Sequence, residues 1–194
     1  MRGNLPQKIT AEEIRQCPLF SYQGNVTIVQ SIEDAHQAIT ELSEYSVLGF
    51  DTETRPVFKK GRSNPTSLIQ LAGEKGVYLF QLNKIQTIEP LLPLFENAEI
   101  VKTGIGIADD IKGLQQLHPF QAQGFFDSAS LSSSLGIINT GLRPLVALFL
   151  EKRISKGAQT SNWAANQLRV NQIRYAATDA WVSRELYCKL RTLV

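Results

Sequence analysis

Val47-Leu48-Gly49-Phe50-Asp51-Thr52-Glu53-Thr54 reads as a strand that begins apolar and ends acidic. Side chains alternate across a strand, so Asp51 and Glu53 share one face while Leu48 and Phe50 pack on the other. Two carboxylates at this spacing repel, which raises the pKa of one of them unless a cation neutralises the pair. A solvated strand end gives the same short pattern, so the pair alone defines no site.

The surroundings of this strand set the fold class. A polar loop follows it, Lys59-Lys60-Gly61-Arg62-Ser63-Asn64-Pro65. Ser67 to Ala72 and Val77 to Leu82 read as strands joined by the turn Gly73-Glu74-Lys75-Gly76, an antiparallel hairpin. Upstream, Asn25 to Gln30 reads as a strand, and Ser31 caps a helix with Ile32, Ala35, Ala38, Ile39 and Leu42 at helical spacing. Downstream, Ile88 to Asn97 reads as helix, Ile100 to Gly106 as strand and Ala108 to Leu117 as helix. Gly124 to Asp127 reads as a fifth strand or a short extended piece. Helices dominate from Ala129 onward, with Asn171 to Leu190 the clearest. Residues 1–25 read as an extension, in which Thr10-Ala11-Glu12-Glu13 is a capping box opening a short helix ended by Pro18. A three-stranded meander, then helix-linked strands, then helices describe an α/β domain with a mixed sheet.

At 194 residues the chain has the size of one ordinary domain. With 43% hydrophobic and 20% charged residues it has globular composition. The longest strongly apolar run, Leu145 to Leu150, is far too short for a membrane span and fits a buried helix. The N-terminus lacks the apolar core of a signal peptide. Cys17 and Cys188 cannot make a disulfide framework, and without an export signal they read as reduced thiols in the cytoplasm. Two histidines, His36 and His118, exclude a three-histidine metal site, and no G-x-S-x-G nucleophile motif occurs. Residues 1–50 hold 3 Lys/Arg against 6 Asp/Glu, whereas residues 51–194 hold 17 against 12. The mildly basic bulk permits a polyanionic ligand.

Two further acidic features stand out. Tyr175 and Asp179 are four apart in Ile173-Arg174-Tyr175-Ala176-Ala177-Thr178-Asp179-Ala180, so they share a helix face. Ala176 and Ala177 would let that helix approach another element closely. Asp109 and Asp110 open the helix after the fourth strand, where acids also serve simply to stabilise a helix N-terminus. Alone, each feature also reads as ordinary surface chemistry.

Taken in order, Phe50-Asp51-Thr52-Glu53, Gly104-Ile105-Gly106-Ile107 leading to Asp110, and Tyr175-Ala176-Ala177-Thr178-Asp179-Ala180 resemble the three motifs of DEDDy exonucleases. That family includes ribonuclease D, the proofreading domain of family A polymerases and the exonuclease domain of the Werner syndrome helicase. Ser67-Leu68-Ile69-Gln70-Leu71, Gly141-Leu142-Arg143-Pro144-Leu145 and Ser161-Asn162-Trp163 resemble its framing segments. The Gly-Ile-Gly-Ile and Ser-Asn-Trp elements are most similar to the Werner-type branch. The resemblance covers residues 26–194 and leaves residues 1–25 as an N-terminal extension.

The resemblance implies a ribonuclease H-like fold with a five-stranded mixed sheet flanked by helices. It implies hydrolysis of nucleic acid from the 3′ end to nucleoside 5′-monophosphates, with two Mg²⁺ or Mn²⁺ ions held by Asp51, Glu53, Asp110 and Asp179. Asp51 is expected to bridge both ions, and Tyr175 to orient the attacking water. Such ions clamp the attacking and leaving oxygens, and hard cations favour carboxylate ligands. Tyrosine, with an ordinary pKa near 10, orients water better than it deprotonates it. Thr52, Lys59, Lys60, Arg62, Lys112 and Arg174 are candidate substrate contacts, the cations acting on phosphates without reading sequence. The Werner-type sequence has a bulky aromatic where Lys112 stands, and Arg169 and Val170 give the last helix no strong cap.

The expected partner is a single-stranded 3′ end of DNA or RNA, with no membrane involvement and no indicated protein partner. The Werner-like motifs tilt the reading to DNA, as does the chain's ending 15 residues past Asp179, short of the helical RNA-binding module of ribonuclease D. The alternatives are a ribonuclease D-like RNA trimming enzyme, a non-catalytic nucleic-acid-binding module and a two-metal phosphohydrolase of small molecules. Loss of an acidic ligand would mark the non-catalytic module, and all four acids are present with the tyrosine.

Overall fold

A computed structural model describes residues 6–57, 61 and 64–194. The short glycine turn joins its two strands as an antiparallel hairpin. Strands β2 (Val47–Thr54), β3 (Thr66–Ala72) and β4 (Val77–Gln81) form the expected meander. Strand β5 (Val101–Gly104) lies parallel to β2, and β6 (Phe125–Asp127) parallel to β5. The sheet has six strands rather than the five that the resemblance implies. The sixth is β1 (Val26–Val29), which pairs in parallel with β4 and completes the order β1-β4-β3-β2-β5-β6. Its pairing begins where the Val77 amide donates to Asn25 O at 3.0 Å, and Val29 is fully buried.

Helix α1 (Ala11–Gln16) opens on the expected capping box: the Glu13 amide donates to Thr10 Oγ1 at 3.2 Å and the Thr10 amide to Glu13 Oε2 at 2.7 Å. Helix α2 (Ile32–Leu42) is capped by Ser31, which accepts from the Asp34 amide at 3.1 Å. The helix expected over Ile88–Asn97 does not form as one piece. After a single turn α3 (Leu82–Ile85), the chain makes a 3₁₀ turn at Glu89–Leu91 and a single turn α4 (Leu92–Phe95). Pro90 and Pro93 stand at the starts of these turns, where their missing N–H groups cost nothing but divide the helix. Four longer helices complete the described chain: α5 (Ala108–Leu117), α6 (Ser128–Ser134), α7 (Leu142–Leu150) and α8 (Val170–Arg191).

Both faces of the sheet are covered, which explains why every residue of β3 is buried. Phe50, Ile69, Leu71 and Phe80 pack on one face with Ala35, Ile39 and Leu42 of α2 and Leu114 of α5. Leu68, Ala72 and Leu79 pack on the other with Trp163 and with Ala176, Ala177 and Ala180 of α8. At Gly49 the two layers nearly touch: an added Cβ would stand 1.9 Å from the Ala180 carbonyl oxygen. The small side chains of both elements therefore set how closely α8 lies over β2. Residues 17–23 run along this layer, with the Tyr22 amide donating to Thr178 Oγ1 at 3.0 Å and Phe20 N to Arg153 O at 2.8 Å.

Candidate active site

The acidic C-terminal end of β2, an interior strand of the sheet, meets the first half of α8. Strand alternation places Asp51 and Glu53 on the face that α8 covers, and the helical i, i+4 relation turns Tyr175 and Asp179 toward them. One carboxylate oxygen from each of Asp51, Glu53 and Asp179 lies within 4.8 Å of the others. Asp179 is buried, and its Oδ1 has no partner within the protein. Gln70, directly across the ladder from Asp51, is also fully buried with neither amide atom paired within the protein.

Asp110 arrives from the other face of the sheet. Gly106 makes the turn between β5 and α5 at φ +71°, a region that favours glycine, and its amide donates to Asp127 Oδ1 at 3.0 Å. The first turn of α5 then brings Asp110 to Thr52, whose hydroxyl donates to Asp110 Oδ1. Its neighbour Asp109 points away and pairs with Lys112 at 3.0 Å. Adjacent helical residues diverge by about 100°, so only one of the two acids can face the cluster.

The electrostatics follow from crowding. Burial, then the charges of Asp179 and Asp110, push Asp51 well above the usual carboxylate range. Burial, followed by the charge of Asp51, pushes Glu53 up to about 9. Asp179 is raised to about 7 by burial, against the pull of Tyr175 and Arg143. Asp110 is raised by burial, with the Thr52 hydroxyl opposing it. Burial and the charges of Asp179 and Glu53 hold the proton on Tyr175 firmly. An all-oxygen, hard donor set whose carboxylates are held together against their own repulsion fits a divalent cation.

A cavity of about 500 Å³ opens over this group. Arg143, Lys156 and Gln159 line it, and so does Ile14 of α1. Sequence reasoning did not single these four out as site residues. The only advance sign was the segment Gly141–Leu145, which frames the motifs and contains Arg143. Of the predicted contacts, Thr52 lies within the group, while Lys112 lines a neighbouring cleft with Thr52 and Asp110. Arg174 lines an adjoining cavity together with Tyr175 and Asp179, and donates to Tyr22 O at 2.8 Å and Gln23 Oε1 at 2.7 Å. Lys59, Lys60 and Arg62 lie outside the described residues. Cys17 and Cys188 are unpaired, and no helix among the described residues is long and apolar enough to cross a membrane.

Residues 26–194 match the family model described as 3′-5′ exonuclease. The exonuclease mut-7 homolog of Aedes aegypti is 30% identical over 192 residues, covering 85% of this chain and 26% of that protein. The mouse bifunctional 3′-5′ exonuclease/ATP-dependent helicase WRN is 30% identical over 186 residues, covering 91% of this chain and 13% of that protein. The chain thus spans about a quarter or less of these relatives. The crystal structure of the Aedes aegypti Nibbler EXO domain superposes with a TM-score of 0.81 at 26% identity, covering 90% of this chain and 92% of that one.

Proposed function

The chain belongs to the 3′-5′ exonuclease family, and from that premise we propose that it removes nucleoside 5′-monophosphates from the 3′ end of a single strand, DNA in preference to RNA, by a two-metal-ion mechanism. The gathering of Asp51, Glu53 and Asp179 oxygens within 4.8 Å of one another carries this reading. Asp51, Glu53 and Asp179 would hold one Mg²⁺ or Mn²⁺ ion, with Asp51 shared and Asp110 holding the second. Bound there, such ions lower the pKa of water and stabilise the charge on the attacking and leaving oxygens.

The chain's own residues do the rest. Tyr175, which keeps its proton, hydrogen-bonds the attacking water and fixes its direction toward phosphorus. Thr52 holds Asp110 by its hydroxyl and so sets that carboxylate's orientation. Arg143 and Lys156 line the cavity as cations for the phosphate backbone. The preference for DNA rests on the Werner-type motifs. The free thiols fit a reducing compartment such as the cytoplasm.

The test is digestion of 5′-labelled DNA and RNA, as single strands and as duplexes with a 3′ overhang or recess, with Mg²⁺ or Mn²⁺. A ladder shortening one nucleotide at a time from the 3′ end, faster on DNA, is expected. Internal cuts, or cleavage of mononucleotide esters alone, would overturn the proposal.

A further inference from the structure

We infer that the segment preceding the family-matched region is part of the substrate cleft, and that Ile14 contacts the nucleobase at the 3′ end of the bound strand. This deepens the exonuclease reading and rests on it. Helix α1 buries none of its residues, so core packing does not account for its position. Fixed points on both sides hold it instead. Before it, the Ile9 amide donates to Asn139 Oδ1 at 3.0 Å and the Ile138 amide to Gln7 O at 2.7 Å. After it, the Arg153 amide donates to Pro18 O at 3.0 Å and the Arg153 Nε to Cys17 O at 3.0 Å.

Beyond these points the segment grips α8 itself. Arg174 donates to Tyr22 O, and Thr178 accepts from the Tyr22 amide. These two residues directly precede Tyr175 and Asp179 in sequence, so the segment is tied to the stretch of helix that carries the proposed chemistry. The result is that half-buried Ile14 lines the same cavity as Asp51 and Glu53.

The chemistry of that cavity matches a nucleotide. Ile14, Leu142, Pro144 and Ile154 give it an apolar wall, while Arg143 and Lys156 give it positive charge. A nucleotide joins a base with an apolar face to an anionic phosphate. The wall can cover the former without reading its identity, since each base offers a similar face. The cations meet the latter. Among the described residues of the N-terminal segment, Ile14 is the one that lines this cavity.

The experiment compares the full chain with Ile14→Asp and Ile14→Leu. The substrates are two 5′-labelled single strands, one with a normal 3′ nucleotide and one ending in an abasic nucleotide. Ile14→Asp is expected to raise KM on the normal end about tenfold, equivalent to about 1.4 kcal/mol, with a smaller change in kcat. On the abasic end the deficit is expected to shrink to about twofold, because the contact is already missing. Ile14→Leu is expected to restore the wild-type KM. Thermal unfolding near the wild-type midpoint checks the fold. An unchanged KM, an equal deficit on both ends, or a failure of leucine to rescue would overturn the inference. Faster cleavage by Ile14→Asp would make α1 a plug and overturn it too. Inactivity of the wild-type chain on both strands is a different result, which removes the exonuclease reading itself.

Discussion

Asp109 has a side chain 93% exposed and paired with Lys112, while Asp110 turns inward to Thr52. Asp110→Ala is therefore expected to cripple cleavage and Asp109→Ala to leave most of it, with Asp51→Ala reducing cleavage to the limit of detection. Tyr175→Phe keeps the ring and all four acids, so a loss of roughly 10- to 1,000-fold is expected, in the range of positioned polar groups. Single-turnover cleavage of a 5′-labelled strand by each purified variant measures the series. A dead Asp109→Ala beside an active Asp110→Ala would move the motif by one residue. The same crowding has a cost in stability. At acidic pH, below the ordinary carboxylate range, these acids are protonated in the folded and unfolded chains alike. Above it, the folded chain keeps protons on Asp179 up to about 7 and Glu53 up to about 9, which the unfolded chain has already lost. The metal-free protein should then lose stability as pH rises through that window. Asp51→Asn replaces a buried, crowded carboxyl with a neutral amide and should raise the metal-free thermal midpoint at pH 8 by about 3 °C, although it abolishes cleavage. A lowered midpoint would mean that the acids do not strain the fold. At this scale the sequence showed that Asp51 shares a face with Glu53, and Tyr175 with Asp179, because each pair follows a local period of two or four; that the pairs belong to one site came only from the three motifs read in order. Arg143 and Ile14 follow no such rule; distant segments bring them to the cavity, and only the framing segment Gly141–Leu145 hinted at Arg143.

Among the elements, the placement of α8 against β2 matters most, because one carries Asp51 and Glu53 and the other Tyr175 and Asp179. Gly49 leaves the room for that approach. In Gly49→Ala the added carbon would meet the Ala180 carbonyl, a backbone atom that moves only if α8 moves. Overpacking of this kind costs about 1–3 kcal/mol. A lower thermal midpoint is expected together with a loss of cleavage larger than the loss of folded protein, since the displaced helix carries two site residues. Thermal unfolding and single-turnover rates on the same preparation would separate the two effects, and wild-type values for both would dismiss the close approach. The adjacent, small Ala176 and Ala177 signalled in the sequence that this helix could approach another element closely, though not that the element would be β2. The region from Ile88 to Asn97 was less legible. Its apolar residues satisfy a helical period, yet Pro90 and Pro93 each withhold an amide and divide it into two tight turns. The edge position of β1 was hidden for a different reason: four residues before a helix give no sign of which strand they will join.

Across the whole molecule, the core and the acids occupy separate places. The apolar side chains fill two layers on the two faces of the sheet, from Phe50 and Phe95 on one to Leu79 and Trp163 on the other. The carboxylates gather at the end of β2, where the sheet meets α8 and α5. This division explains why the α/β class followed from hydrophobic patterning alone, while the site needed three separated motifs to be read together. It also sets the response to metal removal. The layers bury their apolar surface with or without a cation, so excess chelator should abolish cleavage and leave a cooperatively unfolding protein with unchanged far-ultraviolet circular dichroism. A cation that binds only the folded, deprotonated cluster adds stability by mass action. Added Mn²⁺ should therefore raise the thermal midpoint of wild type, more at pH 8 than at pH 6, where protons compete for Asp179 and Glu53. The same titration on Asp51→Asn should give a much smaller rise, because that variant lacks the ligand proposed to be shared. Cleavage that persists in chelator would remove the metal from the mechanism. Loss of cooperative unfolding in chelator would instead mean that the cations, and not the two apolar layers, hold the sheet and α8 together.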